Sequence, residues 1–248
     1  MQRPYVIGLT GNIACGKSLV LRELAALGAE TIDADQVARE VMAPGSPVLA
    51  AITETFGHDV LRPDGSLDRR TLGAIVFRDP EALRRLEAIT HPVIVAEIRR
   101  RVAESNRPVV VIDAIKLFES SLARDCDEVW VVTCRPDQQL VRLMARDALS
   151  KEEALARIQA QPPQEEKIAR ADHIIDNSGS IEATRQQVQA LWREVLAKIG
   201  ETSSVKLAPS SPSSYTANTR NDGESGESTR DEKTKTDLDA CRGTSTSH

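Results

Sequence analysis

Residues 8–20 read GLTGNIACGKSLV, and Gly11, Gly16, Lys17 and Ser18 satisfy the pattern G-x-x-x-x-G-K-S/T. In such a loop the backbone N–H groups turn inward around phosphate oxygens, and the following helix adds positive potential at its N-terminus. The motif requires a strand before it and a helix after it. YVIGLT (5–10) supplies the strand and KSLVLRELAALG the helix, with Gly28 as a C-terminal cap. Gly11, Asn12, Ile13, Ala14, Cys15, Gly16, Lys17 and Ser18 are therefore read as the phosphate cradle for ATP. Lys17 is expected to reach the β- and γ-phosphates, and Ser18 to ligate Mg²⁺. Cys15 is expected to contribute only its backbone.

The fold class follows from what surrounds the loop. Short apolar runs recur at 5–10, 29–33, 109–113, 128–133 and 172–176, each bounded by helix-forming stretches. Near-continuous apolar strands are those with both faces covered by helices. The reading is α/β: a five-stranded parallel sheet in a doubly wound arrangement. About 75 residues separate the second and third runs, whereas a crossover needs only a dozen or more. The excess predicts an inserted helical subdomain at about 36–106. A second helical excursion at about 136–171, rich in Arg and Gln, is read as a mobile lid. Within the first insertion, His91-Pro92 interrupts a helical pattern, so Pro92 is expected to start a new helix.

Composition bounds the rest. Residues 1–200 form one folded α/β unit; 201–248 are rich in Ser, Thr, Asp, Glu and Lys and poor in large apolar residues, and are read as a disordered tail. A net charge of -5 argues against binding nucleic acid through a basic surface. No apolar run is long enough to cross a bilayer, and no signal peptide is read. Cys15, Cys126, Cys134 and Cys241 lack metal-ligand spacing, which suggests reduced thiols in a cytoplasmic protein.

Two further stretches carry chemistry. In ETIDADQVARE, Asp33 and Asp35 fall at the carboxyl end of the second strand, where ligands bind in open parallel sheets. One could orient or deprotonate an attacking hydroxyl; equally, one could cap the following helix. Asp113, ending PVVVID, is placed to hold Mg²⁺ as in other P-loop proteins, or stands as a strand-end carboxylate in solvent. No N-K-x-D guanine-reading element follows, and no repeat or coiled coil suggests a motor. A small-molecule kinase fits this layout.

Several stretches together resemble the dephospho-CoA kinase family over about residues 5–200: GLTGNIACGKS, IDAD (32–35), DGSLDRRTLGAIVF (64–77), THPVI (90–94), LFE (117–119), RLMARDALSKEEALARIQAQ (142–161) and ADHIIDNSG (171–179). The resemblance implies ATP-dependent phosphorylation of the ribose 3′-hydroxyl of dephospho-CoA. It also implies a helical CoA-binding domain and a lid. On that basis Asp35 matches the catalytic base, and Arg142 and Arg146 match lid arginines that approach the ATP phosphates. Asn177 and Gly179 fall where the last strand leads to the adenine, and Arg69 lies on the acceptor side. Arg70 is a second candidate for acceptor phosphate oxygens.

His91 is expected either to contact acceptor phosphate or ribose, or to tie the subdomain to the core. The chain reads DAIKLFES where the family has P-L-L-F-E, so Ile115 and Lys116 depart from the pattern. Lys116 is expected to contact an acceptor phosphate or to pair with Glu119. The expected partner is a small molecule, and the expected state a monomer or weak homo-oligomer. A kinase for another nucleoside or nucleotide, and a nucleotide-binding regulator without turnover, are the alternatives.

Overall fold

The first strand, β1 (Tyr5–Thr10), sends Val6 to one side of the sheet and Ile7 and Leu9 to the other, and all three are buried. Alternate side chains of a strand point to opposite faces, so burying both faces requires helices on each. The computed structural model, which describes residues 3–200, supplies them. The segment 201–248, read above as a disordered tail, lies outside the described residues.

The elements follow in order. After β1 come α1 (Lys17–Ala26), β2 (Glu30–Asp33), α2 (Ala34–Val41), α3 (Pro47–Phe56), α4 (Arg69–Val76) and α5 (Pro80–Glu104). Then come β3 (Val109–Asp113), β4 (Glu128–Thr133), α6 (Pro136–Asp147), α7 (Lys151–Gln159), α8 (Gln164–Ile168), β5 (His173–Asp176) and α9 (Ile181–Lys198). All five strands are parallel, in the order β2-β3-β1-β4-β5. The central β1 thus lies between β3 and β4, and the loop after it opens at the middle of the sheet's carboxyl edge.

One face of the sheet buries Ile7, Leu9, Val111, Trp130 and Val132 against Val20 and Leu24 of α1 and Val188 and Trp192 of α9. The other buries Val6, Val110, Ile112 and Val131 with Val37 of α2 and Val95 and Ile98 of α5. A third apolar cluster joins Leu49 and Ile52 of α3, Leu72 and Val76 of α4 and Ala82 of α5.

Helix α5 corrects one expectation. It runs for 25 residues straight through Pro92, and no new helix begins there. Pro92 removes one backbone donor and crowds the preceding turn. Here Ala88 and Pro92 are both exposed, so that loss falls on the solvent side. The helix stays continuous because its two ends belong to different cores: Ala82 packs in the helical cluster, Val95 and Ile98 against the sheet. A break at Pro92 would uncouple the two.

Candidate functional site

The loops after all five strands leave the same edge of the sheet, and the candidate site is built on that edge. Gly16 caps α1 with φ 91°, in the left-handed region that favours glycine. A Cβ at Gly16 would lie 1.9 Å from Nδ2 of Asn177, and one at Gly11 only 2.6 Å from the Val132 carbonyl oxygen. Both glycines therefore let the loop lie directly on β4 and β5.

Asn177 explains the contact at Gly16. It is buried just past β5, its Nδ2 donates to the Cys15 carbonyl at 2.8 Å, and its Oδ1 accepts from Thr184 Oγ1 at 2.9 Å. Residues of the helical excursion between β4 and β5 hold the same loop. Gln139 Nε2 donates to the Ile13 carbonyl at 2.8 Å, the Ile13 N–H donates to Gln161 Oε1 at 2.8 Å, and Asn12 Nδ2 donates to the Pro162 carbonyl at 3.1 Å. Cys15 Sγ lies 3.5 Å from Gln164 Oε1.

Arg142 reaches in from α6. Its Nη2 donates to the Asn177 carbonyl at 3.0 Å, while its buried Nη1 has no hydrogen-bond partner among the described residues. Nη1 sits 3.8 Å from the position a Gly16 Cβ would take. An orphaned guanidinium nitrogen beside a P-loop is the donor that a phosphate oxygen would satisfy. The residues present thus fit a nucleotide phosphate.

The acidic side is equally defined. Lys17 forms an ion pair with Asp113, the last residue of β3. Asp33, the last residue of β2, stands opposite Asp113 in the strand register. Burial pushes the Asp113 carboxyl up; Lys17 pulls it back, and the charges of Asp33 and Asp35 push it further up. Asp33 Oδ1 accepts from the Asp35 and Gln36 N–H groups at 2.8 and 3.1 Å, which makes Asp33 the cap of α2. Asp35, in the first turn, is exposed and its carboxylate has no hydrogen-bond or ion-pair partner among the described residues. Ser18 is exposed on the first turn of α1. Its hydroxyl and the Asp113 carboxylate are hard oxygen donors of the kind Mg²⁺ takes alongside phosphates and water.

The comparisons with known proteins agree with this geometry. A family model described as dephospho-CoA kinase matches residues 5–183. The chain belongs to the dephospho-CoA kinase family. The dephospho-CoA kinase of Symbiobacterium thermophilum is 53% identical over 191 residues, which cover 76% of this chain and 80% of that protein. That of Geobacter metallireducens is 48% identical over 196 residues, covering 78% and 98%. Among solved structures, the dephospho-CoA kinase from Campylobacter jejuni superposes with a TM-score of 0.60 at 33% identity, covering 78% of this chain and 98% of that one. Kinases of this family draw on ATP, which suits the loop as built.

Other family-matched residues take less expected places. Arg146 is bound to its neighbour Asp147 by two hydrogen bonds of 2.7 and 3.1 Å, and Arg157 holds the same carboxylate. It therefore does not reach the P-loop, unlike Arg142 on the preceding turn. Lys116 pairs weakly with Glu87 of α5 at 3.8 Å, and not with Glu119, one of its two expected partners. His91 is exposed on α5 and has no hydrogen-bond partner among the described residues, so it does not tie the subdomain to the core. Gly179 is exposed, and a Cβ there would meet only Ala183 at 3.6 Å, so its backbone needs no glycine for space.

Arg69 opens α4, where burial and the like charges of Arg39 and Arg62 hold its guanidinium below the ordinary range, with Asp35 acting in the opposite direction. Arg39 and Arg62 are thus further cations acting on Arg69. Lys167 of α8 was also missed. It is buried, its Nζ donates to the Ile115 carbonyl at 3.0 Å, and burial pushes its ammonium pKa down. Charged residues surround it in QEEKIARAD, so no short stretch of sequence set it apart. Among the described residues no helix is long and apolar enough to cross a membrane.

Proposed function

We propose that this chain is a cytoplasmic kinase that transfers the γ-phosphoryl group of ATP to the ribose 3′-hydroxyl of dephospho-CoA, giving coenzyme A and ADP. The observation that carries the reading is the pairing of Lys17, at the start of α1, with Asp113, at the end of β3, beside Asp35 in the first turn after β2. Phosphoryl transfer asks the protein for positioning and charge neutralisation more than covalent chemistry. The P-loop amides, Lys17 and the open Nη1 of Arg142 would hold the phosphates. Asp35 would align the acceptor hydroxyl in line with the γ-phosphorus and accept its proton. Mg²⁺, held by Ser18 and Asp113, supplies additional neutralisation of the phosphate charge when bound.

Arg146 becomes a phosphate ligand in this scheme only by leaving Asp147. Asn177 acts on the nucleotide through the Cys15 carbonyl, and Gly179 lies in the adjoining loop. Arg69 would take the acceptor's phosphates, with His91 and Lys116 as further candidates for acceptor contacts. All these groups come from one chain, which suits a monomer or weak homo-oligomer acting on a free small molecule.

The test is coupled ADP release with Mg-ATP and dephospho-CoA, beside a panel of nucleosides and nucleoside monophosphates. Turnover confined to dephospho-CoA, with coenzyme A as product, is expected. Turnover of a panel member in its place would assign a different acceptor to the same fold.

A further inference from the structure

The side chain of Lys167 is buried, at 4% exposure, and the phosphoryl-transfer scheme leaves it without a task. Its Nζ donates to the Ile115 carbonyl at 3.0 Å; among the described residues the ammonium makes no second hydrogen bond and no ion pair. An ammonium carries three donors. Burying a charge is costly unless it is paired and hydrogen-bonded. An apolar side chain of the same length would fill this space without that cost. What the lysine adds is its charge and its hold on one carbonyl.

That carbonyl is a junction. Thr10, the last residue of β1 and the neighbour of Gly11, donates from Oγ1 to the same oxygen at 3.1 Å. Ile115 lies two residues beyond Asp113, the partner of Lys17. Between them the Ala114 N–H donates to the Leu9 carbonyl at 3.1 Å. The Ile115 oxygen is therefore held on one side by the strand that enters the P-loop and on the other by α8.

The stretch that delivers Lys167 is itself pinned. Gln161, Pro162 and Gln164 meet Ile13, Asn12 and Cys15 as it crosses the P-loop. Three residues past Lys167, Arg170 Nη2 donates to the Phe118 carbonyl at 3.4 Å, and its guanidinium lies 4.2 Å from the centre of the Phe118 ring. Lys167 and Arg170 thus grip the loop after β3 at two carbonyls, and the same stretch touches the P-loop.

We infer that Lys167 is a positioning residue for phosphoryl transfer: through the Ile115 carbonyl it sets the corner where β1 enters the P-loop and Asp113 meets Lys17. The inference rests on the proposed kinase reaction. Lys17 and Asp113 act on the phosphoryl group and its Mg²⁺, so their placement governs the rate of transfer. A misplacement of about 1 Å among such groups can cost about 10²-fold in rate. The nucleoside and the acceptor bind through other residues, and their affinities do not depend on this corner.

The experiment uses the full chain and three variants. Lys167→Met keeps the length of the side chain and removes its charge and donors. Thr10→Val removes the other donor to the Ile115 oxygen, and the third variant combines the two. Steady-state rates are measured over both substrates with the acceptor that the wild type turns over. A different acceptor would then overturn the substrate reading and leave this test intact. In Lys167→Met, kcat should fall about ten- to a hundred-fold, with the KM for ATP and for the acceptor within two-fold of wild type. The urea midpoint should be no lower, because a buried charge replaced by an apolar chain of similar volume is often neutral or stabilising. The loss of kcat in the double variant should depart from the product of the single losses by about two-fold or more, since both donors act on one oxygen.

An unchanged kcat in Lys167→Met would overturn the proposal. So would a chain that fails to fold, or a lowered urea midpoint with both KM values raised together, because either would make Lys167 a structural tie alone. Single losses that simply multiply in the double variant would separate Lys167 from the Ile115 carbonyl and equally overturn it.

Discussion

The ammonium of Lys17, at the start of α1, lies on the carboxylate of Asp113, at the end of β3. The two residues are 96 positions apart, and they meet because β1 and β3 are hydrogen-bonded neighbours in register, Leu9 opposite Asp113. The pair holds a cation and a buried anion ready at the mouth of the P-loop. Phosphate oxygens would compete for the first and Mg²⁺ for the second.

Replacing Lys17 by Ala should therefore reduce kcat by about 10²–10³, the scale of deleting one preorganised group that stabilises developing charge. Asp113→Asn should act differently: the Mg²⁺ concentration for half-maximal rate should rise more than the KM for ATP. Titrations of Mg²⁺ at fixed ATP separate the two effects. Equal shifts in both would mean that Asp113 serves only to position Lys17.

Asp33 and Asp35 should divide structure from chemistry. Asp33→Ala removes the α2 cap and should cost about 1 kcal/mol in urea unfolding. Asp35→Asn should leave stability nearly unchanged and cut kcat by about 10²–10⁴, with ATP affinity retained. If the Asp35 variant kept its turnover, the role of acceptor base would have to move to another residue.

Asn177→Ala breaks a buried bridge from β5 to the P-loop. It leaves the Cys15 carbonyl and the Thr184 hydroxyl without that partner. A loss of about 1–3 kcal/mol is expected, together with a raised KM for ATP and an unchanged KM for dephospho-CoA. Fluorescence-detected unfolding and steady-state kinetics read the two effects. A change in acceptor KM alone would contradict this placement.

The foot of the helical insertion should be acid-sensitive. Arg100 and Arg101 beside Glu97 hold its carboxyl down at about 2, and Arg101 also holds Glu40 of α2 below the usual carboxylate range. A carboxyl depressed on folding contributes stability above its unfolded pKa, and that contribution is lost as pH falls toward the folded value. For Glu97 the loss should run from about pH 4.5 down to about 2. Urea midpoints between pH 6 and pH 3 should fall less steeply in Glu97→Gln than in the wild type. Identical slopes would remove Glu97 from the acid response.

The fold was legible because its signals are local. Alternating burial on two faces wrote Val6-Ile7-Gly8-Leu9 as a covered strand, and Gly16 with Lys17 marked the turn that only a P-loop uses. The two aspartates of IDAD were visible as a pair, yet spacing alone left open which one caps and which one is free. The backbone amides of Asp35 and Gln36 point to Asp33, and that is a property of the folded turn. Proline chemistry pointed to a break at Pro92, but burial of Ala82 and Ile98 in two separate cores outweighed it.

The sequence by itself determined the parallel α/β sheet, the phosphate loop and the row of carboxylates at its edge, because strand, helix and turn preferences act within a few residues. The tertiary structure alone decided which side chains are engaged and which are open. Asn177 lies 162 positions from Cys15, Lys167 lies 52 from Ile115, and Lys116 meets Glu87 across a loop. Those contacts depend on the order of strands and the packing of helices onto them, so no short stretch of chain encodes them.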